Sequence, residues 1–154
     1  MNNVRSLLVT AMIGLTLVSC TQKREDIETV APSIIPGSAE DFARNISNTV
    51  YFGFDKYNLT PDAENVLRQV VAWLRMYNDK NVIVEGHTDK RGTKEYNVGL
   101  GSRRAESVKK FMTEQGVEPN RVATISYGKE ALITDSDTEE GHALNRRSHV
   151  VISQ

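Results

Sequence analysis

The chain has 154 residues, 19 Lys+Arg against 20 Asp+Glu, 39% hydrophobic residues and a single cysteine. A charge balance this close to neutral argues against a general nucleic-acid binder, which usually carries a strongly basic domain. One cysteine excludes an intrachain disulfide.

The first element in chain order is a leader. Residues 1–19 hold one basic residue, Arg5, and then an uncharged stretch from Leu7 to Val18. A membrane span needs about 20 apolar residues, whereas the apolar core of a secretory signal runs about 7–15 behind a basic start. The stretch therefore reads as a removable signal. It ends in Leu17-Val18-Ser19-Cys20, with polar Thr21-Gln22-Lys23-Arg24-Glu25-Asp26 behind it. A small residue before the cut and a lone cysteine directly after it resemble the lipobox of bacterial lipoproteins, whose cysteine thiol receives diacylglycerol. A buried free cysteine is the ordinary alternative, but Cys20 borders the leader, outside any plausible core. Two or more acyl chains hold stably to a membrane, at about 0.8 kcal/mol per buried CH₂. Thr21, rather than Asp, resembles the sorting residue of lipoproteins sent to the outer membrane.

Residues 20–48 read as the lipidated Cys20, a flexible tether and a short helix. Thr21 to Gly37 is polar, then punctuated by Pro32 and Pro36, with no sustained period. About thirty extended residues at 3.3–3.6 Å each reach up to about 100 Å. Ser38-Ala39-Glu40-Asp41 resembles a capping box with Asp in the Glu/Gln place, so a helix is expected to start at Ser38.

Residues 49–154 carry a globular pattern, enough for one domain with a core. Thr49 to Phe54 is a β-rich aromatic run. Thr60 and Pro61 suit an N-cap and a first helical position, and Val66, Leu67, Val70, Val71, Trp73, Leu74 and Tyr77 then give a broad apolar helical face. Asn81 to Gly86 holds a short buried strand. A second helix is expected from about Glu95 to Gln115, stopped by Gly116. Val122–Tyr127 and Arg147–Ser153 complete the strands. The order is β-α-β-α-β, a loop, and a final β: an α/β sandwich whose mixed sheet carries both helices on one face. Strand order is not legible.

Two places stand out chemically. On the second helix, Gly101, Ala105, Val108 and Met112 form an inward stripe, and Arg104 falls about 40° from Val108, inside it; Arg103 points away. An inward guanidinium is expensive unless paired or facing a polar pocket. One reading is an internal salt bridge to Asp55, Asp89 or Glu85, whose loss costs roughly 3–5 kcal/mol. The other is a carboxylate site, because the guanidinium fork matches a carboxylate bidentately; removing a pocket-facing Arg104 or Asp89 then costs binding and little stability. The second place is Glu85-Gly86-His87-Thr88-Asp89-Lys90-Arg91-Gly92. Alternation brings Glu85, His87 and Asp89 to one face of an extended chain, a conceivable metal site, but Gly86 and Gly92 suggest a turn that breaks the alignment. No metal or cofactor is expected. Neither a Gly-x-Ser-x-Gly elbow nor a phosphate-cradling Gly-x-x-x-x-Gly-Lys occurs, which weakens a hydrolase reading.

Val50-Tyr51-Phe52-Gly53-Phe54-Asp55, Glu85 to Asn97, Leu100-Gly101-Ser102-Arg103-Arg104-Ala105, Ser126-Tyr127-Gly128-Lys129-Glu130 and Asn145-Arg146-Arg147 together resemble the OmpA-like C-terminal domain family, in order and over nearly all of residues 49–154. Gly53 stands where an Asp is common, and Lys90 where an acidic or amide residue often sits. The resemblance implies non-covalent binding of peptidoglycan through the meso-diaminopimelate of its stem peptide. Asp89 would take the ammonium and Arg104 the carboxylate, with Asp55, Asn97, Leu100 and Arg147 shaping the pocket and His87 structural. With the lipobox in front, it further implies an outer-membrane anchor, a domain facing the periplasm, and TolB with other Tol components as partners in constriction at division. A metal-dependent envelope hydrolase using His87 and Asp89, or a surface-exposed adhesin, are the alternatives.

Overall fold

The computed structural model describes residues 34–153. The leader, Cys20 and the tether up to residue 33 lie outside the described residues. Among the described residues no helix is long and apolar enough to cross a membrane.

Ser38 caps the first helix, α1 (Ala39–Asn45), its side chain accepting from the Asp41 amide at 3.0 Å. Asp41 reaches back one residue further than a capping box requires, to the Gly37 amide at 2.9 Å. The helix is no mere appendage. Its Phe42 is 1% exposed and meets Trp73 edge-on at 4.9 Å.

Strand β1 is Thr49–Tyr51, shorter than the aromatic run suggests. Thr60 caps α2 (Pro61–Met76), which buries Leu67, Val70, Val71, Trp73 and Leu74 as its apolar period predicts. Strand β2 is Val82–His87, and Thr93 caps the long α3 (Lys94–Glu114). That helix ends in a Schellman turn. Gly116 takes φ 92°, and Val117 donates back to Met112, which satisfies carbonyls the last turn leaves free. Strand β3 is Val122–Gly128 and β4 is Arg147–Ile152.

Between β3 and β4 the sequence suggests only a loop, but the chain forms a further helix, α4 (Glu139–Asn145), capped by Thr138. At seven residues, with Gly141 inside it, it shows no apolar period to read. Its stabiliser is distant: Asn145 accepts from the Ile133 amide at 2.7 Å and donates to the Thr134 carbonyl at 2.8 Å.

The sheet order is β1-β4-β2-β3. The last strand inserts between the first two, antiparallel to both, and β2 pairs with β3 in parallel across the α3 crossover. Val50, Val82, Val84, Val122 and Val150 pack with α2 and α3 in one core. Tyr51, Ile125 and Tyr127, on the opposite face, are exposed. Helices α2 and α3 therefore cover one face of the sheet.

One close approach positions everything that follows. A Cβ at Gly86 would fall on the Gly101 carbonyl, and one at Gly101 would overlap Ser126. With no side chain between them, α3 lies directly on β2. Arg104, under one turn later, then comes within reach of the chain leaving β2.

Candidate functional site

At that end of the sheet a cavity of about 170 Å³ opens among three segments. The β1–α2 loop contributes Phe54 and Asp55, and the β2–α3 loop contributes Thr88, Asp89, Arg91 and Gly92. Tyr96, Asn97, Leu100 and Arg104 come from α3. A register shift at Gly86/His87 bends the strand out of its ladder and aims the β2–α3 loop across the helix, as bulges do.

Arg104 is fully buried, and neither sequence-based account of it is complete. None of Asp55, Asp89 and Glu85 forms an ion pair with it among the described residues. Its Nε donates to the Lys56 carbonyl at 2.8 Å, Nη1 to His87 at 2.7 Å and Nη2 to Gly53 at 3.2 Å. Phe52 lies under the guanidinium, its ring centre 5.1 Å away. Burial pulls the group down to about 10, against the opposing charge of Asp89, so it stays cationic at neutral pH. A guanidinium has five N–H donors. The three carbonyls leave one on each terminal nitrogen, and a carboxylate can accept two such donors.

Asp89 is 4% exposed. Its Oδ2 accepts from Arg91 at 2.5 Å and lies 3.4 Å from Arg146 Nη1, while Oδ1 takes the Arg91 amide at 3.2 Å. Burial pushes its carboxyl up, but the hydrogen bonds and charge of Arg91, aided by Arg146, outweigh it and hold the group below the usual carboxylate value. Arg91 is the more exposed partner: its side chain is 40% exposed, lies over Phe54 at 4.3 Å and comes within 3.8 Å of Glu139.

Asp55 sits at the rim in the left-handed region, φ 56°, a conformation Asp tolerates better than most residues. It accepts from the Tyr96 hydroxyl, and this bond raises the Tyr96 pKa. Asn97 is 1% exposed and spends its amide donors on the carbonyls of Arg91 and Thr93, at 2.8 and 2.9 Å. It ties the loop to the start of α3. Leu100, 5% exposed, gives the cavity an apolar wall.

Arg147 is the sequence candidate that the fold does not bring in. It pairs with Tyr51 across β1–β4 and donates to the carbonyls of Asn145 and Ala131 at 3.5 and 3.3 Å. Arg146 instead lies behind the cavity wall, against Asp89. It is 6% exposed, with Nε on the Phe52 carbonyl at 3.0 Å and Nη2 on Glu139 at 2.7 Å. The doublet was legible; which member faces in depends on where α4 ends and β4 begins, and α4 was not foreseen. Arg91 and Phe54 were also missed, because a loop has no period to mark direction.

His87 turns its ring away from this site. The ring stacks on Tyr127 at 5.4 Å, and Nε2 lies 3.6 Å from Glu85. Burial, with the charges of Arg147 and His149, lowers its pKa to about 4. Only its carbonyl serves the cavity. Glu85, His87 and Asp89 do not converge, and no trio of His, Cys, Asp or Glu placed to hold a metal occurs among the described residues.

The chain matches the OmpA family over residues 51–146. It is 40% identical over 123 residues to the peptidoglycan-associated lipoprotein of Mesorhizobium japonicum, covering 80% of this chain and 73% of the relative. With the protein of the same name from Haemophilus influenzae it shares 37% over 146 residues, 94% and 95% of the two chains. The crystal structure of the peptidoglycan-associated lipoprotein from Burkholderia pseudomallei superposes with a TM-score of 0.68 at 33% identity, covering 77% of this chain and 96% of that one. The C-terminal domain of Helicobacter pylori MotB shares the fold, with a TM-score of 0.64 at 21% identity over 71% and 86% of the chains.

Proposed function

The chain belongs to the OmpA family, and from that premise we propose that it is an outer-membrane lipoprotein whose folded domain binds peptidoglycan non-covalently. The observation that carries this reading is Arg104: a buried cation, held by three backbone carbonyls, that keeps two N–H donors for a carboxylate at the wall of a cavity also lined by Asp89. A site with a fixed cation and a fixed anion recognises a zwitterion. The end of a meso-diaminopimelate side chain is one, bearing an ammonium and a carboxylate. A lysine-type stem peptide leaves Arg104 without its anion, which is how such a site discriminates.

Binding then proceeds as an exchange. The ligand carboxylate meets the free Arg104 donors. Its ammonium takes the Asp89 carboxylate from Arg91, whose half-exposed side chain swings aside, while buried Arg146 stays and keeps Asp89 ionised. Asp55 and Tyr96 close the rim, Leu100 excludes water, and Asn97 holds the loop in place.

Acylated Cys20 would fix the other end in the outer membrane, with the domain in the periplasm and the tether between. Tethering raises the local concentration of domain at the wall, so a modest affinity suffices. The same family reading assigns the protein to the Tol–Pal system, with TolB competing for the peptidoglycan-facing surface, and to outer-membrane constriction at division. No cofactor or catalytic turnover enters it. The test is retention of the purified domain on diaminopimelate-type sacculi beside a lysine-type control. Equal retention on both, or none on either, sinks the proposal.

A further inference from the structure

Asp89 belongs to a closed square of four charges. Arg91 places Nη2 2.5 Å from Asp89 and Nη1 3.8 Å from Glu139. Arg146 places Nη1 3.4 Å from the same Asp89 oxygen and Nη2 2.7 Å from Glu139. The square has a buried half and an open half. The side chains of Asp89 and Arg146 are 6% and 7% exposed, those of Arg91 and Glu139 40% and 63%. The buried half is fixed: Arg146 is held through Nε by the Phe52 carbonyl, and Asp89 accepts from the Arg91 amide. Glu139 is the first residue of α4, where the helix N-terminus favours a carboxylate. The Arg91 guanidinium lies over the Phe54 ring at 4.3 Å, a contact that holds a cation without using its N–H donors.

Two cations and two anions balance in this square. A ligand ammonium at Asp89 brings a third cation, and one of the arginines must then give way. Arg146 is buried and tied to backbone, so it stays. Arg91 can go, and among the described residues Glu139 is the other carboxylate within ion-pair distance of it. The move is short. From 3.8 Å, Nη1 has about 1 Å to close to reach the usual charge-assisted separation of about 2.8 Å. Glu139 does not line the cavity, so a guanidinium drawn to it leaves the space that the ligand enters.

We propose that Glu139 is a positioning residue for the ligand ammonium: it receives the Arg91 guanidinium released from Asp89 and keeps that cation paired while the site is occupied. The inference rests on the zwitterion reading of the cavity and adds the residue that sets how readily its ammonium side opens. Arg91 is then a competitor of the ligand carried by the β2–α3 loop. Glu139 weakens that competition, because a guanidinium with a second partner is less costly to displace from the first.

Calorimetric titration of the full-length protein with L-Ala-γ-D-Glu-meso-diaminopimelate tests this on wild type, Glu139→Gln, Arg91→Ala and the double variant, a cycle that isolates the coupling of the two residues. Glu139 is mostly exposed and Gln keeps an acceptor for Arg146, so the fold is retained. Glu139→Gln should weaken binding about threefold, the scale of one partly exposed ion pair. Arg91→Ala should bind at least as tightly as wild type, since no guanidinium has to leave Asp89. In that background Glu139→Gln should change nothing further. An equal loss in both backgrounds overturns the proposal, because Glu139 would then act through Arg146. So does a Glu139→Gln protein that binds like wild type, or an Arg91→Ala protein that loses affinity, which would make Arg91 part of the grip on the ligand. Each of these outcomes leaves the cavity standing as the peptidoglycan site, whereas wild type that does not bind the tripeptide overturns both.

Discussion

Arg104 and His87 are buried on opposite sides of the same stretch of backbone, and they solve the problem of a buried ionisable group in opposite ways. Arg104 keeps its charge, with every nitrogen donating to a carbonyl. The His87 ring nitrogens are buried and find no hydrogen-bond partner among the described residues, and the ring instead gives up its proton, its pKa falling to about 4. A desolvated group keeps its charge only where hydrogen bonds or a counter-charge compensate it, and otherwise becomes neutral. The side that keeps its charge borders a cavity; the side that gave it up is packed. That contrast marks which face of the loop is built for a ligand.

The contrast can be broken first at Arg104. The sequence left open a pocket-facing arginine whose removal costs little stability, and the structure corrects this. Arg104→Ala strands three carbonyls, and charge-assisted bonds contribute roughly 1.5–3 kcal/mol each before relaxation. A destabilisation of about 3 kcal/mol is expected, together with lost retention on sacculi. Urea unfolding that matches wild type would show the carbonyls to be satisfied another way. Arg104→Lys sharpens the point: it keeps the charge without the fork, so it should recover part of the stability and little of the binding.

Asp89→Asn should cost about 2 kcal/mol, less than the 3–5 of a fully stranded buried pair, because Glu139 still holds Arg146. The same melts read it. A variant as stable as wild type would mean that Asp89 is not needed to balance the two arginines.

The opposite side is tested by pH. The folded-state pKa of His87 lies below its unfolded value of 6.5, so the unfolded chain binds more protons between the two. Stability from this group is therefore complete above pH 6.5 and falls as the pH drops toward 4. By pH 5 the loss should be about 2 kcal/mol. Burial also lowers the pKa of His149, which adds a smaller loss of the same sign. The lowered carboxyl of Asp89 acts only below the usual carboxylate range. His87→Phe keeps the stack on Tyr127 and should flatten most of the pH 7-to-5 slope in chemical melts. An undiminished slope would assign the titration to another group.

The smallest effect is expected at Arg147. Arg147→Gln should change retention on sacculi by less than about twofold, because its side chain spends itself on carbonyls outside the cavity, where hydrogen bonds contribute roughly 1 kcal/mol to stability. Loss of binding with an unchanged melt would return it to the site.

Much of this was legible from residues alone. The helical period of α2 and α3, the caps at Ser38, Thr60 and Gly116, and the inward direction of Arg104 follow from local geometry, which repeats every turn and leaves its trace in composition. The partners of Arg104 were not legible. They are backbone carbonyls 17, 48 and 51 residues away, and a carbonyl has no residue type to recognise. For the same reason α4 was missed, its support coming from one asparagine bonded to a distant loop, and with it the choice of Arg146 over Arg147.

By itself, then, the sequence determined which faces are apolar, where helices start and stop, and that a cation on α3 points inward, because these depend on neighbours within a turn. Tertiary structure alone decided that β4 lies between β1 and β2, that α3 rests on β2 through Gly86 and Gly101, and that Arg104 is tied twice to the β1–α2 loop and once to the end of β2. Those outcomes depend on which distant backbone groups come into contact, and pairing between N–H and C=O groups is blind to the side chains that carry the sequence.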